Sequence, residues 1–176
     1  MVTKHILITG AKSAGKSTLV ERLLAHWEKP VYGFVTRSTG RDERGFHSIY
    51  IHPAAGPRHT GEENHIGDCC YGSRTTHPEV FTRLGVQFLR HGTDGILVMD
   101  ELGFMETGSA EFCREVLGCF DGDTPVLAVC KDKPGVAFLE QVRSHPKAQL
   151  YTLTPENREE LYHTLLPVLE EWSSHI

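Results

Sequence analysis

Short apolar runs alternate along the chain with longer segments in which apolar residues recur every three or four positions. The runs predict buried strands at 5–9, 31–36, 95–99, 125–130 and 148–152. The recurring residues predict amphipathic helices over about 15–27 and 155–172. This alternation is typical of an α/β fold in which helices cover both faces of a mostly parallel sheet. The sequence therefore predicts a three-layer α/β architecture.

One region, about 31–75, departs from that alternation. Residues 31–36 and 46–52 both have the pattern of strands, and the polar segment between them predicts a long hairpin. Residues 53–75 contain glycine and proline without a clear period, a pattern that favours short strands and a mobile flap. We therefore expect this region to be an insertion of hairpins into the α/β core.

Two helix starts carry capping signals. Residues 76–79 (Thr-His-Pro-Glu) have the spacing of a capping box and predict a helix that runs to about 90. Thr154 precedes Pro155, so Thr154 is predicted to be the N-cap of the last helix, with the proline in its first turn. Both signals are local, and each predicts where a helix begins.

Composition narrows the classes of function. At about 150 residues per domain, the 176 residues predict one domain. The formal net charge is −5, so we expect no basic surface for nucleic-acid phosphates. The longest apolar run near the N-terminus, Ile6-Leu7-Ile8, is too short for a signal peptide or a membrane span. Five cysteines without regular spacing fit reduced thiols. We therefore expect a cytoplasmic protein without nucleic-acid or membrane partners, and nothing in the sequence indicates a protein partner.

The segment 10–17 (GAKSAGKS) matches the phosphate-binding pattern G-x-x-x-x-G-K-[ST] and lies between a predicted strand and a predicted helix. Backbone N–H groups in such a loop surround an oxyanion, and the helix N-terminus adds partial positive charge. Lys16 is expected to reach the β- and γ-phosphates, and Ser17 to bind Mg²⁺ through its hydroxyl. For Lys12, a solvated side chain and a phosphate contact are equally consistent with the sequence. The residues predicted to hold the nucleotide are Gly10, Ala11, Lys12, Ser13, Ala14, Gly15, Lys16, Ser17 and Thr18.

A second signal is the apolar run 96–99, which ends in two carboxylates, Asp100 and Glu101. At the carboxyl end of a strand, Asp100 can hold Mg²⁺ beside Ser17, while Glu101 can orient and deprotonate a water that attacks the γ-phosphorus. Lys16, Asp100 and Glu101 are therefore the predicted catalytic residues. The alternative is that Glu101 only caps the following turn. The chain lacks an Asn-Lys-x-Asp motif that would read guanine, so we expect loose selectivity for the base.

The sequence does not decide the roles of several other cationic residues and candidate metal ligands. Arg41 and Arg44 lie in the predicted hairpin turn, where a role as an arginine finger competes with ordinary solvation. Lys131 and Lys133 follow a strand, at the edge where α/β sheets bind ligands. Five of the eleven histidines and two adjacent cysteines fall between 47 and 77. That segment has neither a C-x-x-C nor an H-x-x-x-H pair, so its spacing argues against a zinc site.

An ordered series of motifs gives the chain a family resemblance. The series consists of residues 10–18, 32–36, 44–46, 99–106 and 154–158. It resembles the cancer-related nucleoside-triphosphatase family, also called the thermophile family, over about residues 3–171. The resemblance implies a RecA-like P-loop fold and Mg²⁺-dependent hydrolysis of ATP, GTP and other nucleoside triphosphates. It also implies the phosphate loop at 10–17, a metal carboxylate at Asp100 and a candidate base at Glu101.

The chain departs from that family at three places. Lys12 and Ser13 stand where the family usually has Pro-Gly, and Phe104 stands where it has lysine. Arg37 and Ser38 replace the acidic residues that usually follow the hairpin threonine. These departures concern the rigidity of the loop and the outer contacts of the triphosphate.

The sequence thus predicts a Mg²⁺-dependent nucleoside-triphosphatase with a single P-loop domain over 1–176 and a hairpin and flap insertion at about 31–75. Two other functions stay open. A small-molecule or nucleoside kinase would share the phosphate loop and use 37–75 as a lid over its acceptor. A nucleotide-gated assembly or binding protein would use hydrolysis only to reset a conformational switch.

Overall fold

The computed structural model describes residues 4–176. Its strands are β1 (His5–Thr9), β2 (Val31–Ser38), β3 (His47–Pro53), β4 (His65–Cys70), β5 (Ser73–Thr76), β6 (Ile96–Leu102), β7 (Val126–Cys130) and β8 (Ala148–Thr152). Over this part of the chain they form one sheet in the order β5-β4-β3-β2-β6-β7-β1-β8. The strands from β2 to β8 in that order are parallel. β3, β4 and β5 extend the sheet with antiparallel pairing and are called the antiparallel extension below.

Helices cover both faces of the parallel strands. They are α1 (Lys16–Leu24), α2 (Pro78–Val80), α3 (Val86–Phe88), α4 (Ala110–Asp121), α5 (Ala137–Arg143) and α6 (Arg158–His175). A π-helical turn, Phe81–Gly85, joins α2 to α3, and two 3₁₀ turns lie at Glu62–Asn64 and Met105–Gly108. In the described residues, no helix is long and apolar enough to cross a lipid bilayer.

The core consists of two apolar layers, one on each face of the sheet. Alternation along β1 shows the division: Leu7 packs with side chains of α2 to α5, whereas Ile6 and Ile8 pack with side chains of α1 and α6. Successive side chains of a strand point to opposite faces, so a strand buried at every position needs cover on both sides. The predicted α/β architecture with a mostly parallel sheet is therefore confirmed.

The 31–75 region forms the hairpins that its pattern predicts. β2 pairs with β3 in antiparallel register, Val35 opposite His52. The segment without a clear period contains β4, the start of β5 and a 3₁₀ turn, so the prediction of short strands is confirmed. Hydrophobic alternation is weak there because β5 is exposed at all of its positions.

The capping box predicted at 76–79 is wrong. Thr76 is the last residue of β5, and the helix begins at Pro78 after His77, whose side chain makes no capping hydrogen bond. Strand pairing of Thr76 with Gly67 takes the backbone that a capping box would need. The prediction for the last helix needs a smaller correction, because α6 begins at Arg158. Thr154 and Asn157 exchange side-chain hydrogen bonds in the turn before it.

Candidate active site

The phosphate-loop segment leaves the carboxyl end of β1 and leads directly into α1. Lys16 is only 9% exposed, and its ammonium donates to the carbonyl oxygens of Gly10 at 2.9 Å and Ala11 at 2.8 Å. The side chain is therefore folded back over the loop that it belongs to. Eight of the nine residues predicted to hold a nucleotide line one cleft. The exception is Ala14, whose side chain is buried in the apolar layer beneath the loop.

Ser17 and Asp100 meet although 83 positions separate them in the sequence. The Ser17 hydroxyl donates to Asp100 Oδ1 at 3.1 Å. They are neighbours because β1 and β6 are parallel strands whose carboxyl ends lie at the same edge of the sheet, with β7 between them. Burial raises the pKa of Asp100, while the guanidinium of Arg37 and the hydroxyl of Ser17 act in the opposite direction.

Arg37 is a residue of the site that sequence reasoning did not select. Its Nη1 donates to Asp100 Oδ2 at 3.1 Å, and its Nη2 donates to Glu21 Oε1 at 3.1 Å. The contact depends on the register of β2 against β6, which places Val35 opposite Asp100 and brings Arg37 to the same edge. The only sequence signal was the departure from the family pattern at 37–38. Asp100 is thus held by a hydroxyl on one oxygen and by a cation on the other.

Glu101 lies in the wall of the cleft, and the peptide bond that joins it to Asp100 is cis. Its side chain is 25% exposed, and Oε1 lies 3.4 Å from the ammonium of Lys131. The carboxylate is therefore accessible to water and faces the phosphate loop's side of the sheet. This arrangement differs from a simple turn cap, because the contact that Glu101 makes is with a lysine from the neighbouring strand end.

Glu106 is a third carboxylate at the same edge of the sheet, and it is 2% exposed. It accepts a hydrogen bond from the backbone N–H of Gly103 at 2.5 Å. Burial raises the pKa of Glu106 to about 7, and the Gly103 N–H acts against that rise. Glu106 is not one of the predicted catalytic residues, and its buried hydrogen bond with the Gly103 N–H supports the loop after β6.

The cleft has a volume of about 920 Å³. Three regions form its walls: the phosphate loop, the carboxyl ends of β6 and β7, and the hairpin turns of the 31–75 region. Of the two arginines considered as fingers, Arg41 lines the cleft and Arg44 is not among its lining residues. Lys131 and Lys133 both line it.

A cluster of cations surrounds Phe104 at the rim of this cleft. The guanidinium of Arg74 lies 4.1 Å from the ring centroid, and the ammonium groups of Lys133 and Lys131 lie at 4.2 and 4.9 Å. The face of an aromatic ring attracts cations, so Phe104 holds three positive side chains at this rim. Sequence reasoning missed Arg74, because only the β4–β5 turn brings it to the cleft.

The match to known proteins covers most of the chain. The family model described as NTPase matches residues 5–166. Nucleoside-triphosphatase THEP1 of Thermococcus kodakarensis is 31% identical, with 88% of this chain and 87% of that protein aligned. The cancer-related nucleoside-triphosphatase homolog of Bos taurus is also 31% identical, with 91% and 93% aligned. The crystal structure of THEP1 from Aquifex aeolicus matches with a TM-score of 0.69 and 25% identity over 94% of this chain and 99% of that one. The resemblance found in the sequence is confirmed, and the chain belongs to the NTPase family.

Proposed function

We propose that nucleoside-triphosphate hydrolysis by this enzyme depends on Mg²⁺ and takes place in the cleft between the phosphate loop and the carboxyl end of β6. The observation that carries the proposal is the hydrogen bond from Ser17 to Asp100. This hydrogen bond links the phosphate loop to the carboxyl end of β6, the two parts of the site that the sequence predicts separately. Water is the acceptor of the γ-phosphoryl group, and the products are the nucleoside diphosphate and phosphate.

Ser17 and Asp100 are suited to hold the metal ion. A hydroxyl and a carboxylate are hard oxygen ligands, and Mg²⁺ binds few such protein ligands while keeping water and phosphate oxygens. These residues would hold Mg²⁺, which when bound would supply positive charge against the negative charge that develops on the phosphate oxygens. Arg37 contacts Asp100 Oδ2 and so supplies positive charge to the same carboxylate. A cation held by Asp100 would share this carboxylate with Arg37 or displace it.

Lys16 and the loop amides stabilise the phosphates. The Lys16 ammonium lies against the carbonyl oxygens of Gly10 and Ala11, within the loop that would surround the triphosphate, so it is placed to contact the β- and γ-phosphate oxygens. A charge placed at the γ-phosphate lowers the transition state more than the ground state, because negative charge shifts onto the oxygens there. Arg41 and Lys133, which line the cleft, supply further positive charge around the triphosphate.

Glu101 is the general base in this proposal. Its carboxylate is solvent accessible and lies at the strand end next to the metal carboxylate, so a water can be held between Glu101 and the γ-phosphorus. Lys131 keeps Glu101 oriented through the contact at 3.4 Å. A kinase would have to exclude water from this position so that the phosphoryl group passes to its acceptor. The carboxylate of Glu101 is open to solvent, which favours hydrolysis.

We further infer one P-loop domain over 1–176, with the 31–75 insertion closing one side of the cleft. β2 to β5 belong to the same sheet as β1, and Tyr71 to Arg74 line the cleft. Because no guanine-reading motif is present, we expect ATP and GTP to be hydrolysed at similar rates. Both nucleotides are included in the test below.

The test is phosphate release from ATP or GTP with Mg²⁺ and no added acceptor. We expect sustained release by the unmodified enzyme and a loss of about 100-fold or more in Glu101→Gln, with nucleotide binding retained within a few-fold. Glu170→Gln, at an exposed carboxylate of α6, is the matched control and should keep the full rate. An unchanged rate in Glu101→Gln would refute its role as the base. Release that requires an added alcohol acceptor would favour the kinase, and release that requires a protein partner would favour the nucleotide-gated switch.

A further inference from the structure

Three metal-binding side chains converge at the antiparallel extension, on residues that are not among those lining the cleft. His65 and Asp68 belong to β4, and His77 lies between β5 and α2. One ligand atom from each lies within 4.8 Å of the other two. The closest pair is His65 Nε2 and Asp68 Oδ1, which are 2.9 Å apart. No closely spaced pair of histidines or cysteines marks this site in the sequence, because two of its ligands are a histidine and a carboxylate three positions apart and the third is a more distant histidine.

Neighbouring side chains hold two of these ligands in place. The Ser48 hydroxyl donates to Asp68 Oδ1 at 2.6 Å, and the Thr75 hydroxyl donates to Oδ2 at 3.2 Å. The ring of His65 packs against the rings of Tyr50 and His77, with centroids 5.1 and 5.0 Å away. Groups of this kind orient metal ligands in known sites and are part of what makes such sites bind tightly.

The charge and the chemistry of the cluster suit a transition metal. The carboxylate of Asp68 is contacted by the hydroxyls of Ser48 and Thr75 and by the imidazole of His65, none of which carries negative charge. Glu79 brings a second carboxylate, with its Oε1 3.5 Å from His77 Nδ1. Two imidazoles with a carboxylate suit zinc, cobalt and nickel, whereas Mg²⁺ takes oxygen ligands. The side chains of His65, Asp68 and His77 are 24%, 23% and 39% exposed, so an ion can reach them from solvent.

We propose that His65, Asp68 and His77 bind a divalent cation of the zinc class, with Glu79 or water completing the coordination. The cation takes the place of the hydrogen that joins His65 Nε2 to Asp68 Oδ1, and the imidazole keeps its remaining proton on Nδ1. The site is separate from the nucleotide cleft and does not depend on the mechanism proposed for that cleft.

The position of this site gives it a structural consequence. A bound cation links β4 to the residue that precedes α2, across the β4–β5 hairpin. Tyr71 in the turn of that hairpin and Arg74 on β5 line the nucleotide cleft. Because a ligand that binds only the folded state stabilises it, the cation is expected to raise the thermal midpoint of the protein.

The experiment titrates the full-length, chelator-treated protein with Zn²⁺ alone by calorimetry, and with Co²⁺ alone by visible absorption. We expect one equivalent of tight binding, a Co²⁺ spectrum without a thiolate charge-transfer band, and a higher thermal midpoint with Zn²⁺. Asp68→Asn and His77→Asn should each weaken Zn²⁺ binding at least about tenfold. Asp68→Asn keeps an amide oxygen for one of the two hydroxyls, Ser48 or Thr75, and an amide NH₂ that can donate to the other. Circular dichroism of the metal-free variants shows whether each still folds.

Two matched variants separate this site from other sources of metal binding. His163→Asn removes an exposed histidine on α6, and Asp100→Asn removes the carboxylate proposed for Mg²⁺. Neither variant should change the affinity or the stoichiometry of tight Zn²⁺ binding. Loss of that equivalent in Asp100→Asn, or its persistence in both Asp68→Asn and His77→Asn, overturns the proposal. A thiolate band with Co²⁺ assigns the metal to Cys69 or Cys70 and overturns it as well. If the unmodified protein binds no equivalent of Zn²⁺ tightly, the proposal is also overturned.

Discussion

The parallel strands and the antiparallel extension build the same cleft in different ways. β1 and β7 are buried at every position, and the loops at their carboxyl ends supply backbone amides and charged groups anchored in the core. β5 is exposed at every position, yet Arg74 on this strand lines the cleft beside the phosphate loop. The parallel strands therefore fix the predicted catalytic groups by packing, whereas the extension adds side chains whose positions depend on surface contacts. Substitutions in the two regions should differ in both the size and the kind of their effects.

The largest expected difference concerns two glycines with left-handed backbone. Gly33 in β2 has a φ of 99°, and a Cβ there would lie 1.9 Å from the Val98 carbonyl oxygen of β6. Gly72 in the β4–β5 turn has a φ of 88°, and a Cβ there would meet open space. Gly33→Ala must separate two paired strands, so we expect a loss of more than about 3 kcal/mol in the free energy of unfolding. Gly72→Ala carries only the backbone penalty of about 1–2 kcal/mol.

Urea denaturation of both glycine variants measures this difference. If Gly33→Ala does not fold, the solubility of Gly72→Ala under the same conditions gives the same ranking. Equal losses in the two variants would mean that the central sheet accommodates an added Cβ as easily as the exposed turn does, which would contradict this prediction.

The second prediction concerns activity. Lys16→Ala removes a cation held by the phosphate loop, and we expect kcat to fall about 100-fold or more, as for the loss of one preorganised donor to a transition state. Arg74→Ala removes a cation that the extension holds against the exposed face of Phe104. Such a contact contributes about 1 kcal/mol or less, so KM should rise less than about tenfold with little change in kcat. Steady-state phosphate release measures kcat and KM separately for each variant. A larger fall in kcat for Arg74→Ala than for Lys16→Ala would mean that the extension supplies the more important group to the transition state, which would contradict this prediction.

Sequence reasoning found the groups that the parallel strands carry, because those groups follow from short motifs and a general rule of topology. The phosphate loop is continuous in the chain, and the carboxyl ends of parallel strands meet at one edge, so the contact between Ser17 and Asp100 could be expected. The overall α/β fold was predictable for the same reason, since its strands are buried and strongly apolar.

The missed residues depend on pairing that no local pattern specifies. Arg37 reaches Asp100 only through the register of β2 against β6. Arg74 reaches Phe104 only because β5 folds back on β4. The strands of the extension are short and partly exposed, so their sequences carry little periodicity from which the register could be derived. The false capping box at 76–79 has the same origin, because strand pairing took a residue that the local pattern assigned to a helix start.

The third prediction uses pH to probe the buried end of β6. Burial raises the pKa of Glu106 from an ordinary value of 4.5 to about 7, so the folded protein binds more protons than the unfolded chain between those values. The stability that this group contributes is therefore present below pH 4.5 and is lost as the pH rises through 7. Glu106→Gln keeps an oxygen for the Gly103 N–H and has no charge to bury. Its stability relative to the unmodified protein should increase by up to about 3 kcal/mol between pH 4.5 and pH 8.

Urea denaturation of both proteins across this pH range measures the Glu106 effect, because the titration of all other groups cancels in the difference. A difference that stays constant with pH would show that Glu106 ionises as an exposed carboxylate does. A difference that decreases with rising pH would show that the charged form is stabilised by Lys131 or another cation.

The smallest expected effect concerns the residue that joins the two regions. Arg37 lies at the end of β2, where the parallel strands meet the extension, and its guanidinium pairs with the buried carboxylate of Asp100. Arg37→Ala leaves that carboxylate without its cation, and because the arginine side chain is 31% exposed we expect a loss of about 1–2 kcal/mol rather than the 3–5 kcal/mol of a fully buried pair. The loss should shrink when Mg²⁺ and ADP are added, since Asp100 then has another source of positive charge. Urea denaturation with and without Mg²⁺ and ADP measures both values, and Arg44→Ala, at an exposed arginine of the same hairpin that does not line the cleft, is the control. A loss that is equal in the two conditions would mean that Arg37 only ties β2 to Glu21, and that its contact with Asp100 does not compete with the metal.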